Sequence, residues 1–228
     1  SAGSEWSLSM TGASLQVGDF DGDGADDIAS HDGAGTWDVY LSTGDEFLNS
    51  ETWLDSFGSE ASNILVGDFD SDGVDDLVVF TSSSGNWDVS LSTGSSFSTA
   101  SEWLSDFGGD SVMQYVGDFD GDGIEDILIY DGETIKVAQS IGDEFTSRGT
   151  VAYGLSLSDQ SLIGDFNGDC KSDILFFDST GSDPSYPNGE WRALLSNGYY
   201  FDAENEWSLG SGSIKLFGGC GHEEAFEA

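Results

Sequence analysis

Short runs rich in Val, Ile, Leu and Phe alternate along the chain with segments of Asp and Gly, the pattern of strands bounded by turns. Four of the Asp-rich segments sit between two apolar runs: VGDFDGDGADDI from Val17, VGDFDSDGVDDL from Val66, VGDFDGDGIEDI from Val116 and IGDFNGDCKSDI from Ile163. SLQVGDF and DDIAS flank the first, and DDLVVF, EDILIY and SDILFF carry the apolar run onward in the others. A further strand then opens at Trp37, Trp87 or Trp191, followed by a turn glycine at Gly44, Gly94, Gly142 or Gly198 and an aromatic three residues on, at Phe47, Phe97, Phe145 or Phe201. A second tryptophan closes the repeat at Trp53, Trp103 and Trp207, while the third repeat carries Ile135 and Val151 in the two Trp places. Apolar replacements at those places mark the tryptophans as packing residues rather than a sugar platform.

The first Asp of each loop falls at Asp19, Asp68, Asp118 and Asp165, so the steps are 49, 50 and 47 residues. That period is too long for nonapeptide calcium rolls and suits one four-stranded propeller blade. The expected fold is therefore all-β, a propeller of four-stranded antiparallel blades over approximately residues 14–54, 63–104, 111–154 and 160–209, in one domain spanning 1–228. The ends are out of phase with the loops. SEWSLSMTG near the N-terminus matches the close of a repeat and SIKLFGG near the C-terminus matches its first strand, so residues 4–10 and 213–228 are expected to form a partial fifth blade. The tail is short for three strands, which leaves an open ring, a strand from a neighbouring subunit or a longer propeller as alternatives.

Within each loop, side-chain oxygens recur at positions 1, 3, 5 and 9: Asp19, Asp21, Asp23 and Asp27; Asp68, Asp70, Asp72 and Asp76; Asp118, Asp120, Asp122 and Asp126; Asp165, Asn167, Asp169 and Asp173. The backbone carbonyl at position 7 (Ala25, Val74, Ile124, Lys171) is placed to add a further oxygen. Oxygen ligation without Cys or His selects a hard cation, and a flexible carboxylate-rich loop suits calcium better than magnesium. Gly24, Gly73 and Gly123 stand at position 6, where a sharp turn needs positive φ. The fourth loop has Asn167 for a carboxylate and Cys170 for that glycine, so up to four calcium ions are expected, the fourth held most weakly. A single Asp/Gly cluster reads as an ordinary turn; four copies in one register do not. An EF-hand would need amphipathic helices beside the loop, where this chain has strand-like runs.

Loop, flanking strands and period together resemble the FG-GAP or VCBS repeat family, the calcium-binding blades of integrin α-subunit heads and of many secreted bacterial proteins. The resemblance covers residues 4–210. It implies a propeller whose blades carry the calcium loop between their first and second strands, and it leaves the role open, because the family's functions are diverse.

Forty-four acids against five bases give a formal charge of −39, and 18 of the acids lie in the four loops. The remaining acids still far outnumber the bases, which argues against nucleic acid or an anionic membrane as partner. No apolar segment is long enough to span a bilayer, and the 15 Phe, 7 Tyr and 7 Trp supply a real core. Weak calcium loops work best outside the cytosol, so an extracellular or cell-surface location is expected. Cys170 and Cys220 fall at corresponding points of adjacent repeats, open to a disulfide or to two buried thiols. His222 lacks a second histidine four residues on, so the zinc-protease pattern fails, and His31 is expected at the surface or in a turn. No Ser-His-Asp set or phosphate-cradling loop can be assembled. The expectation is a non-enzymatic adhesion or interaction module, or a subunit of a surface or filamentous assembly, with a protein partner or self-assembly through the terminal blade. A glycan-binding lectin and an accessory domain of a secreted polysaccharide-degrading enzyme are the alternatives.

Overall fold

The computed structural model describes residues 14–153, 161–178 and 190–209. Among these residues every regular element is a strand, and the strands form four antiparallel sheets in which chain neighbours are sheet neighbours. The first sheet contains Ser14–Gly18 (β1), Asp27–His31 (β2), Trp37–Tyr40 (β3) and Glu51–Leu54 (β4). The second contains Asn63–Gly67 (β5), Asp76–Thr81 (β6), Asn86–Ser90 (β7) and Ser101–Leu104 (β8). Met113–Gly117 (β9), Asp126–Tyr130 (β10), Thr134–Ser140 (β11) and Phe145–Tyr153 (β12) make the third. Leu162–Gly164 (β13), Asp173–Asp178 (β14), Glu190–Ser196 (β15) and Phe201–Leu209 (β16) make the fourth. Four-stranded meanders of this kind are propeller blades, and each Asp-rich loop joins the first strand of its blade to the second.

The second strands of the last three blades, β6, β10 and β14, read as near-continuous apolar runs because both of their faces are covered. In β10 every residue is buried, and in β6 only Thr81 is not. The fourth strands of the first two blades open with two exposed residues, bury Trp53 and Trp103 and end on the half-buried Leu54 and Leu104. The chain divides into two compact units, the first with β1–β8 and residues Gly142–Glu144, the second with β9–β16. In the first unit the core gathers Phe20, Trp37, Trp53, Leu77, Val79 and Phe97 from both blades. In the second it gathers Phe119, Leu128, Ile135, Ile174, Leu194 and Phe201.

The tryptophans are packing residues where their side chains are described. Trp37 and Trp87 are fully buried, and their indole N–H groups donate to the carbonyls of Phe57 and Phe107 at 3.1 and 2.7 Å, tying the third strand to the loop beyond the fourth. Ile135 takes the same buried place in the third blade. Trp191 is only partly buried, its ring tilted against Phe177. His31 is a correction to the sequence expectation: it is 4 % exposed, and its ring stacks on Trp37 at 4.6 Å because the two residues are the closing pair of the β2–β3 register. The terminal segments 4–10 and 213–228, with Cys220 and His222, lie outside the described residues, as does the side chain of Trp207. Among the described residues no helix is long and apolar enough to cross a membrane.

Candidate metal centres

Each loop is first organised by its own backbone. The carboxylate of Asp19 accepts N–H bonds from Gly22, Asp23 and Gly24 at 2.8, 3.1 and 2.9 Å, so the loop wraps around its first residue. Asp68 takes the amides of Asp72 and Gly73, Asp118 those of Gly121, Asp122 and Gly123, and Asp165 those of Gly168, Asp169 and Cys170. The amide at position 6 reaches back only if φ there is positive. Gly24, Gly73 and Gly123 sit at 86–89°, and Cys170 holds the same left-handed conformation at 68° despite its side chain. Position 5 completes the turn: Asp23, Asp72, Asp122 and Asp169 each accept the amide of position 7.

Position 9 has a second role that the spacing does not reveal. Asp27, Asp76, Asp126 and Asp173 are completely buried. In every blade one carboxylate oxygen accepts the amide of loop position 2 (Phe20, Phe69, Phe119, Phe166) at 3.1–3.2 Å. The other accepts the amide of a serine just beyond the third strand or at its end (Ser42, Ser92, Ser140, Ser196) at 2.7–2.9 Å. These carboxylates clamp the loop to the blade. Burial pushes them up, Asp27 and Asp173 to about 6 and Asp76 and Asp126 to about 8, against the opposing pull of those amides. A positive ion beside them would remove the cost of ionising there.

The structure brings three of the predicted ligands within 4.8 Å of one another in each of three loops: Asp19, Asp21 and Asp27; Asp68, Asp70 and Asp76; Asp118, Asp120 and Asp122. These three groups could hold a metal ion. Asp23 and Asp72 stay outside the first two groups and Asp126 outside the third. Asp165, Asn167, Asp169 and Asp173 do not form such an acidic group, yet the Oδ1 of Asn167 is buried with no hydrogen-bond partner. A buried amide oxygen without a donor is the arrangement a cation would satisfy. The donors throughout are oxygens on short loops, which fits a hard divalent cation. Cys170 is disulfide-bonded; Cys220, the other cysteine of the sequence, lies outside the described residues.

Two sets of site residues escaped the sequence reading. The serines that clamp position 9 recur two residues before the turn glycines Gly44, Gly94, Gly142 and Gly198, a signal that was available. In each unit the hydroxyl of the later serine also donates to the preceding blade's loop, Ser92 to the carbonyl of Phe20 at 2.7 Å and Ser196 to that of Phe119 at 2.6 Å. Position 8 makes a second link between loops, with Asp75 against Asp19 and Ser172 against Asp118. The close approach explains the glycine before the first Asp of the leading loop in each unit: a β-carbon on Gly18 would stand 2.7 Å from Asp75 Oδ2, and one on Gly117 2.8 Å from Ile163 Cγ2 and from Ser172 Oγ.

No curated protein matches the chain. Among solved structures, a lectin from Agrocybe aegerita, described as specifically recognising non-reducing terminal N-acetylglucosamine, is 20 % identical with a TM-score of 0.66 over 84 % of this chain and 50 % of that one. The Photorhabdus luminescens Tc holotoxin pore is 18 % identical with a TM-score of 0.58 over 86 % of this chain and 10 % of that one. This chain thus spans half or less of those chains, and at such identities the likeness is one of fold. The sequence pattern of the FG-GAP-like repeat matches residues 19–79 and 118–176, taking in all four loops. With the loop geometry repeated blade by blade within that match, the chain belongs to the FG-GAP-like repeat family.

Proposed function

We propose that the chain is a calcium-stabilised β-propeller, one domain over residues 1–228, that acts without catalysis as an adhesion or interaction module outside the cell or on its surface. The observation that carries this reading is the repetition of one loop geometry, in which a carboxylate at position 1 is wrapped by amides and a second at position 9 is buried. Such loops are expensive to fold as bare anions and become rigid when a cation sits among them. The proposed ligands are positions 1, 3, 5 and 9 of each loop with the position 7 carbonyl, the fourth loop binding most weakly. Cys170 is proposed to pair with Cys220, and association with a protein partner or a second copy is proposed to run through the two ends, on the sequence phase alone. Calorimetric titration of the chelator-stripped chain with calcium and with magnesium tests the metal, and light scattering with and without calcium tests association. Several calcium sites with weaker magnesium binding are expected; a chain that binds no calcium would sink the reading.

Glycan binding is a second reading, favoured by one observation. Tyr199 and Tyr200 are 73 % and 54 % exposed, beside Arg148, whose guanidinium carbon lies 5.5 Å from the Tyr199 ring centre. Open rings next to a charged hydrogen-bond donor suit the apolar face and hydroxyls of a sugar. The Agrocybe lectin lends the fold to this reading. The buried Trp37 and Trp87 offer nothing to it. A glycan array decides between the two, with binding lost in Tyr199→Ala if the rings are the platform.

A further inference from the structure

The third loop differs from the first two in what touches its position 3. Asp120 receives a hydrogen bond from the Gln139 side-chain amide on the same oxygen, Oδ2, that faces the Arg148 guanidinium at 3.8 Å, and Arg148 Nε in turn donates to Gln139 Oε1. Glutamine, arginine and aspartate thus form a closed clasp. Its other oxygen, Oδ1, accepts the amide of Asp122, as Asp21 accepts that of Asp23 and Asp70 that of Asp72. What the third loop adds is at Oδ2. Among the described residues, neither Asp21 nor Asp70 has an ion pair.

The sequence shows why, among the described residues, only this blade has the clasp. Gln139 precedes Ser140, the serine that clamps position 9, and the equivalent residues before Ser42, Ser92 and Ser196 are Leu41, Leu91 and Leu195. Arg148 stands three residues after Phe145, where the first two blades have Ser50 and Ala100 after Phe47 and Phe97. The carboxylates have regrouped accordingly: position 3 meets position 9 in the first two loops, but in the third Asp120 is grouped with Asp118 and Asp122 and Asp126 is left out.

We propose that Arg148 and Gln139 are a built-in competitor for the metal at the third loop, setting its calcium affinity below that of the first two loops. This rests on the calcium reading above. The guanidinium supplies part of the positive charge that Asp120 would otherwise take from the ion, and it repels a divalent cation arriving a few ångströms away. Calcium must therefore displace or share the clasp. Arg148 also lies over the Tyr199 ring, a contact that can hold the guanidinium once Asp120 turns to the metal. The third loop then answers to calcium in a higher concentration range than its neighbours, and the clasp keeps its carboxylates partly neutralised when calcium is scarce.

The test uses the full chain and two variants, Gln139→Leu, which installs the residue of the other three blades, and Arg148→Ala. Calcium titration should show one site tightening by about tenfold in each variant, a change of about 1.4 kcal/mol. The melting temperature should fall in chelator and rise in saturating calcium relative to the parent chain. A merely structural role for the clasp would lower both melts. Unchanged or weakened calcium binding in the variants, with normal binding by the parent chain, overturns the clasp alone. No calcium binding by the parent chain overturns the metal reading and the clasp together.

Discussion

The amide of Asp19 donates to the carboxylate of Asp75 at 2.8 Å, and the amide of Asp75 donates back to the carbonyl of Asp19 at 2.9 Å. Asp19 opens the first loop and Asp75 is position 8 of the second, so two metal-type loops share a pair of hydrogen bonds. In the second unit Ser172 holds the corresponding place and keeps the main-chain half, its amide donating to the carbonyl of Asp118.

Removing the Asp75 side chain should therefore cost more than removing that of Ser172. Asp75→Ala leaves the part-buried Asp19 amide without its acceptor, a loss of about 1–3 kcal/mol. Ser172→Ala keeps its backbone bond and should cost less than about 0.5 kcal/mol. Urea denaturation of both variants in saturating calcium checks the contrast, and equal losses would contradict it.

Calcium removal should destabilise the whole chain. At a concentration one hundred times its dissociation constant, each site contributes about 2.7 kcal/mol, and a domain of this size shifts by about 2–4 °C per kcal/mol. Chelation should lower the melting temperature by more than about 10 °C. An unchanged melt in excess chelator would refute a structural role for the metal.

The chelated chain should lose stability as pH rises from about 4 to 8. Burial raises Asp76 and Asp126 to about 8 and Asp27 and Asp173 to about 6 in the folded state, against 3.8 for the unconstrained side chain. The folded chain holds more protons than the unfolded chain between these values, so unfolding becomes easier with each step up in pH across that window. Below it the raised groups contribute their full stability, and above pH 8 none remains. Calcium should reverse the trend, because binding needs ionised ligands and releases protons. Melting curves at pH 5 and 8, with chelator and with calcium, should slope in opposite directions; parallel slopes would refute the coupling.

The strands and loop positions were legible because two periods coincide. The four loops repeat their carboxylates and glycines at fixed spacing, and the apolar runs on either side have no helical pattern to compete with. Pairwise arrangements were not legible. Nothing in the order of residues says that Asp76 spends its oxygens on the amides of Phe69 and Ser92, that His31 lies stacked on Trp37, or that Arg148 reaches Asp120 through Gln139. Each depends on which residues face one another across a strand pair or between blades, and a substitution such as Leu to Gln before Ser140 becomes informative only when its neighbours are known.

The fourth loop should be improved by one substitution. Asn167 stands where the other loops have Asp21, Asp70 and Asp120, and its buried Oδ1 has no donor. Asn167→Asp keeps the shape and adds a charge, which strengthens attraction to a divalent ion at close range by about 1 kcal/mol even at the dielectric of water and by more where the group is buried. Calcium binding at this loop should tighten about fivefold to tenfold. Without calcium the same change sets a further anion beside Asp165, Asp169 and the buried Asp173, so the chelated variant should melt below the parent chain. Lys171 opposes both effects, since its ammonium lies 3.5 Å from the Asp169 carboxylate at position 5. Adding Lys171→Ile, the residue at that place in the third loop, should widen the difference between calcium-loaded and chelated melts further. A calcium titration in which neither substitution tightens any site would show that the fourth loop is held together by its backbone hydrogen bonds and the disulfide at Cys170 instead of by an ion.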